Sequence, residues 1–152
     1  MKDTWLWRYV VVVFWVFFFV GMCKGATQQE VVAMTILGEA RGEGKAGMYA
    51  VATVINQRAI NRNKPPKAVC LQRKQFSCWN KNDRNRAKLP TLLKTHPMRH
   101  YAIELANSIT RLDRSYTKYA DHYINRHIKK PSWLANRKPV AQIGNHAFYK
   151  LK

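Results

Sequence analysis

The sequence predicts a mostly α fold of the α+β class: one compact domain with a small β element late in the chain. Three observations carry this expectation. A capping-box signature at Thr27 and Glu30 opens a stretch with apolar residues at helical spacing. A second such stretch follows directly, and a third follows Pro97. Strand-prone pieces, Tyr119 to Ile124 and Val140 to Tyr149, are confined to the end of the chain.

The first 26 residues read differently from the rest. Met1 to Arg8 is short and slightly positive, and Tyr9 to Cys23 then runs without a charge. That is the order of regions in an export signal. The apolar run is somewhat short for a spanning helix, which needs about 18 to 20 residues. Residues 1–26 are therefore expected to be a signal peptide cut after Gly25 or Ala26, or an uncleaved signal anchor in the cytoplasmic membrane. Cys23 follows the bulky Met22, a poor context for lipid attachment. Residues 27–152 remain as the folded domain, large enough to bury a core without staples, on the periplasmic or extracellular side. Export also allows disulfides. Cys70 and Cys78, eight residues apart, are close enough to staple a loop, or stand as two free thiols.

The chain carries 27 Lys and Arg against 8 Asp and Glu. Removing Lys2, Arg8, Lys24 and Asp3 leaves 24 against 7, or +17, for the exported part. Such a charge implies an anionic partner. Nucleic acid and an anionic cell envelope exert the same pull, and a solvated basic surface is the bland alternative. The export pattern favours the envelope, so no nucleic-acid partner is expected.

In the first predicted helix Val32 and Ile36 belong to the apolar stripe and Glu39 falls at its edge, with Gly42 and Gly44 as the stop. The second helix fits Lys45 to about Asn61, where Gly47 and Ala50 would let another helix approach, and Pro65 and Pro66 close it. From Lys67 to Leu89 the pattern is irregular, basic and aromatic, which predicts a long ordered loop. The third helix carries Met98, Tyr101, Ala102, Leu105 and Ile109 as its stripe.

Acidic residues are scarce, which narrows the search for chemistry. Glu30 serves the cap, Asp83 and Asp113 sit in charged stretches, Glu104 lies between stripe positions, and Asp121 adjoins His122 and Tyr123. Glu39 and Glu43 flank Glu-Ala-Arg-Gly-Glu. A carboxyl at the edge of an apolar face is partly desolvated, which favours the protonated form a general acid needs. The same carboxyl could instead form a structural salt bridge with Arg41 or Arg58. His96 and His100 have metal-site spacing, but His96 precedes Pro97 and no third ligand follows, so no metal and no cofactor are expected. Ser77 lacks a nucleophile-elbow frame, and Cys78 as a nucleophile competes with the disulfide.

The chain resembles the SleB-like cell wall hydrolases, the family of spore-cortex-lytic enzymes with many phage and proteobacterial relatives. The likeness begins at Met34-Thr-Ile-Leu-Gly-Glu39-Ala-Arg-Gly-Glu43-Gly and continues through Gly47 to Ile55 and Arg58. It resumes at Val69-Cys70 and Gln75-Phe76-Ser77-Cys78-Trp79. It ends with Asp121-His122-Tyr123, Trp133 and Ile143-Gly144-Asn145-His146-Ala147-Phe148-Tyr149. Gln57 stands where the family usually carries Asn before the arginine. The resemblance implies a compact domain with a lysozyme-like active site and Glu39 as its catalytic residue. It implies cleavage of peptidoglycan glycan strands at the MurNAc–GlcNAc bond, generally as a lytic transglycosylase forming 1,6-anhydro products, as in some phage endolysins. The implied substrate-binding groove comprises Glu43, then Gln75, Phe76, Ser77 and Trp79, then His122 and Tyr123, and finally His146, Phe148 and Tyr149. Competing readings are a muramidase with Glu43 assisting, a metal-dependent amidase on the same wall, and a non-catalytic, membrane-anchored cationic binding protein. The expected partners are glycan strands, the anionic envelope and the cytoplasmic membrane, and the expected state is a monomer.

Overall fold

The computed structural model describes residues 25–152. The apolar segment Tyr9 to Cys23 lies outside the described residues. Among the described residues no helix is long and apolar enough to cross a membrane.

Among the described residues five α-helices precede a three-stranded antiparallel sheet. Helix α1, Gln28–Ala40, opens on the expected capping box: the Glu30 amide donates to Thr27 Oγ1 (3.2 Å), and the Thr27 amide donates to Glu30 Oε2 (2.7 Å). Val31 to Leu37 are all buried, so α1 is apolar nearly all round rather than striped. The reason is its place at the centre, packed by α2 and by three further helices. The helix ends at Ala40, before either glycine. Gly44, with φ +66°, instead turns the chain into α2, Gly44–Arg62. The small side chain of Ala50 serves the sheet rather than a helix: Ala50 and Val54 pack with Ala120 and Phe148.

Asn63, in the left-handed region, caps α2. Pro66 then begins a helix rather than closing one: α3, Pro66–Leu71, buries Pro66, Val69 and Cys70. The stretch expected as a loop therefore holds the rest of α3, a 3₁₀ turn at Ser77–Trp79 and another at Arg86–Lys88. Helix α4, Leu89–Thr95, was not expected; α5, Arg99–Asn107, is the helix expected after Pro97, with Ala102 and Leu105 buried.

The sheet has the order β1-β3-β2, from β1 (His122–Asn125), β2 (Ala141–Ile143) and β3 (His146–Tyr149). Tyr123 pairs with Phe148, and Ile143 with His146. Just before β1, Asp121 ties down the end of the chain. It accepts from the amides of Leu151 (2.9 Å) and Lys152 (3.2 Å) and from Asn61 Nδ2 (3.2 Å). Asp121 is thus a buried structural carboxylate. Burial acts to raise its pKa, but the His122 and backbone hydrogen bonds outweigh burial and hold it below the ordinary value.

Cys70 and Cys78 are separate, buried thiols, not a disulfide. Burial, first, pushes the Cys70 thiol up to about 12 and Cys78 higher still. Neither is an activated nucleophile.

Candidate active site

Glu39 occupies the last turn of α1, at the edge of the core. Three donors from two distant parts of the chain converge on its carboxyl. Ser77 Oγ (3.1 Å) and the Cys78 amide (3.0 Å) reach Oε1, and the Tyr123 hydroxyl (3.0 Å) reaches Oε2. Glu39 makes no salt bridge with Arg41 or Arg58. Arg41 donates to the carbonyls of Leu37 and Gly38 and to Asn85, and Arg58 is occupied elsewhere.

The Ser77–Trp79 turn can approach α1 because Gly38 has no side chain. A Cβ there would lie 2.7 Å from Cys78 Cβ. The turn is fixed at both ends. Trp79 Nε1 donates to Thr35 Oγ1 (2.8 Å), one helical turn before Glu39. On the other side Arg58, buried in α2, donates through Nη1 to the Gln75 carbonyl (2.9 Å) and through Nε to the Asp121 carbonyl (2.6 Å). Its guanidinium also lies over the Phe76 ring, 4.8 Å from the centroid. One arginine thus sets the spacing between the two segments that supply donors to Glu39.

Tyr123 is backed by His146 (ring centroids 5.0 Å) and Phe148 (5.8 Å). Burial, then the nearby Glu39 charge, push its hydroxyl well above the ordinary value, so it stays a donor. His146 is 7% exposed, and its Nδ1 has no partner. Burial lowers its pKa against the pull of Glu43 and Glu39, which keeps the ring neutral at pH 7.

Glu43 is committed differently. Its Oε2 accepts from the Asn145 amide (2.8 Å) and its Oε1 from Asn145 Nδ2 (3.1 Å). The Asn145 amide is the largest cause of its lowered pKa. Gly144, with φ +56°, makes the contact feasible: a Cβ there would stand 2.4 Å from Glu43 Oε2. Glu43 ties the α1–α2 turn to the β2–β3 turn.

Of the residues expected in the groove, the fold brings Ser77, Tyr123 and His146 to Glu39, with Trp79 beside them. Five of the expected side chains lie elsewhere. Residues alternate across a strand, so His122 and Tyr149 point to the other face. There His122 bonds Asp121 and lies edge-on to Trp133, and Tyr149 packs with Leu134 and Ala147. Phe76 and Phe148 are closed off from solvent at 2% and 0% exposure, so they support the site without lining it. The Gln75 side chain turns away to accept from Arg62 (2.6 Å). The Cys78 amide, Thr35 and Asn145 were missed as site-forming groups. A backbone donor leaves no mark in a sequence, whereas Gly144-Asn145 is a recognisable turn pair. Gln57, at the position that departs from the family habit, accepts from Arg114 and donates to Asn61. Among the described residues no three His, Cys, Asp or Glu side chains group as a metal set. His96 instead accepts from the Met98 amide.

Comparison with known proteins adds a family and a fold. The family model described as Cell Wall Hydrolase matches residues 42–149. The matched stretch begins just past Glu39 and does not include it. No curated protein matches the chain. The crystal structure of the catalytic domain of the Bacillus cereus SleB protein is similar in fold. Its TM-score is 0.61 at 24% identity, over 84% of this chain and 94% of that one.

Proposed function

The chain belongs to the cell wall hydrolase family, and on that premise we propose that it cuts peptidoglycan at the MurNAc–GlcNAc glycosidic bond as a lytic transglycosylase. The observation that carries this reading is the division of labour among carboxylates. Glu39 sits at the surface among three donors, while Glu43 is held by Asn145 and Asp121 is buried. A two-carboxylate glycosidase needs a second acid free to act as nucleophile or base. A transglycosylase needs one group that serves twice.

In the first step protonated Glu39 gives its proton to the glycosidic oxygen as the C–O bond breaks. Ser77 and Tyr123 hydroxyls can turn to suit either protonation state. The Cys78 amide, Ser77 and Tyr123 then stabilise the carboxylate that forms. In the second step that carboxylate takes the proton of the muramic acid C6 hydroxyl, whose oxygen closes on C1. The nucleophile is tethered, an advantage that can reach about 7–11 kcal/mol over a free reactant. The proton returns to Glu39, and no water is consumed.

Mass spectrometry of a wall digest tests this. The expected muropeptides end in 1,6-anhydromuramic acid and are lighter than hydrolysed ones by one water. Reducing-end muramic acid as the main product would overturn the mechanism in favour of a muramidase. Free stem peptides would point to an amidase.

We place residues 1–26 as the signal peptide or anchor and 27–152 as the exported catalytic domain, acting on the wall as an endolysin-type enzyme. The capping box at Thr27 supports a domain start there. A fusion of residues 1–26 to a reporter active only outside the cytoplasm should give signal; a silent, cytoplasmic fusion would remove the export reading.

A further inference from the structure

We infer that the groove beside Trp79 binds the carboxylates of the peptidoglycan stem peptide and makes peptide-bearing glycan the favoured substrate. This rests on the reading of the chain as a glycan-cleaving enzyme. The groove has a volume of about 900 Å³ and is lined by Arg73, Lys74, Lys81 and Arg86, with Leu71 and Trp79 as apolar wall. No acidic side chain lines it. All four cations are exposed, and none has an acidic partner among the described residues. The nearest acid in sequence, Asp83, is engaged with the Asn85 amide.

Position gives this charge a meaning. Trp79 closes the turn whose Ser77 and Cys78 hold Glu39, and its indole is pinned to Thr35. Thr35 and Glu39 are four residues apart on α1, roughly 6 Å along the axis. Trp79 is thus shared between the wall of the groove and the turn that holds Glu39. The stem peptide hangs from the lactyl group of muramic acid, the sugar whose bond Glu39 would protonate. An extended tetrapeptide reaches roughly 13–14 Å, enough to run from the centre along the groove. Its free carboxylates suit the guanidinium forks of Arg73 and Arg86, and its alanine methyls suit Trp79 and Leu71. Phosphate-bearing envelope polymers share the negative charge, but they are not attached to the sugar that is cut.

Two measurements on the full-length protein decide this. The first titrates the Glu39→Gln protein with disaccharide-tetrapeptide and with the same disaccharide lacking peptide. Binding should be roughly tenfold tighter with the peptide present, a scale reached by a few charge-assisted contacts. Arg73→Gln with Arg86→Gln should erase the difference, and Lys74→Gln with Lys81→Gln should reduce it. The second compares wild-type kcat/KM on intact glycan and on strands stripped of peptide. The ratio should favour intact glycan about tenfold and fall toward one in the arginine variant, through KM. Equal binding of both ligands, or a ratio untouched by the substitutions, would overturn the inference. So would a groove in which a phosphate polymer competes with wall fragments and stem peptide does not. A wild-type protein that cuts neither substrate defeats the glycan-cleaving reading, and the titration still decides the groove.

Discussion

Three hydrogen bonds meet at Glu39, and the two from side chains can be removed singly. Tyr123→Phe deletes the donor to Oε2 while keeping the ring against His146 and Phe148. A hydrogen bond to a charged group is worth about 1.5–3 kcal/mol, so wall-lysis kcat should fall by roughly tenfold or more with little change in Tm. An unchanged kcat would show that Tyr123 does not stabilise the Glu39 carboxylate. Asp121 is the structural counterpart. Asp121→Ala strands the Leu151 and Lys152 amides and should lower stability by about 3 kcal/mol, read by denaturant titration. The pH profile follows from the same residues. The folded pKa values of His146, Glu43 and Asp121 all lie below their ordinary values. Each then contributes stability above its unfolded pKa that is lost as pH falls through its folded one. Tm should start to drop below pH ~6.5, where unfolded histidine gains its proton, and drop again below pH ~4.5 as the carboxylates follow. His146→Gln should remove the first decline and leave the second; a first decline that persists would place its origin elsewhere.

At the level of elements, the site is a meeting of the end of α1, the turn after α3 and the first strand. Gly38 is the contact that permits it. Gly38→Ala would put a methyl 2.7 Å from Cys78 Cβ and should cost about 1–3 kcal/mol. It should also move the Ser77–Trp79 turn off Glu39, so activity should fall further than stability alone explains. Full activity in a folded Gly38→Ala protein would contradict the need for that approach. The legibility of these elements in the sequence tracks the range of the forces that form them. The capping box at Thr27, the long apolar runs of α1 and α2 and the late strands are local signals, and the structure has them. Helices α3 and α4 are six and seven residues long, too short to show a period, and are held by Val69, Cys70 and Leu89 against the core. The burial of α1 on all faces was equally hidden, because its neighbours come from distant parts of the chain. In the site, Glu39 was legible from composition and motif, but the facing of His122 and Tyr149 depends on strand phase, which the motif does not state.

Over the whole molecule most acidic residues other than Glu39 are spent on structure. Six of the seven after residue 26 accept from amides, hydroxyls or amide side chains; of these, Asp121 alone also contacts a basic side chain, His122. Most of the 24 Lys and Arg of this part are exposed, some over aromatic rings, with almost no acidic neighbours. Such a field would attract a carboxylate-bearing wall and is screened by salt over about 10 Å at 0.1 M. Pelleting of the Glu39→Gln protein with purified walls should therefore weaken steadily as NaCl rises, and salt-independent binding would assign the affinity to the glycan alone. The central claim is narrower: one carboxyl, Glu39, performs both proton transfers, and Glu43 performs none. Lysis of purified walls by folded Glu39→Gln and Glu43→Gln proteins, matched by circular dichroism, tests it most directly. The account predicts a loss of at least ~10²-fold for Glu39→Gln, the usual scale for a general acid, and a much smaller loss for Glu43→Gln. Lysis retained by the folded Glu39→Gln protein, or equal losses in both, would contradict it.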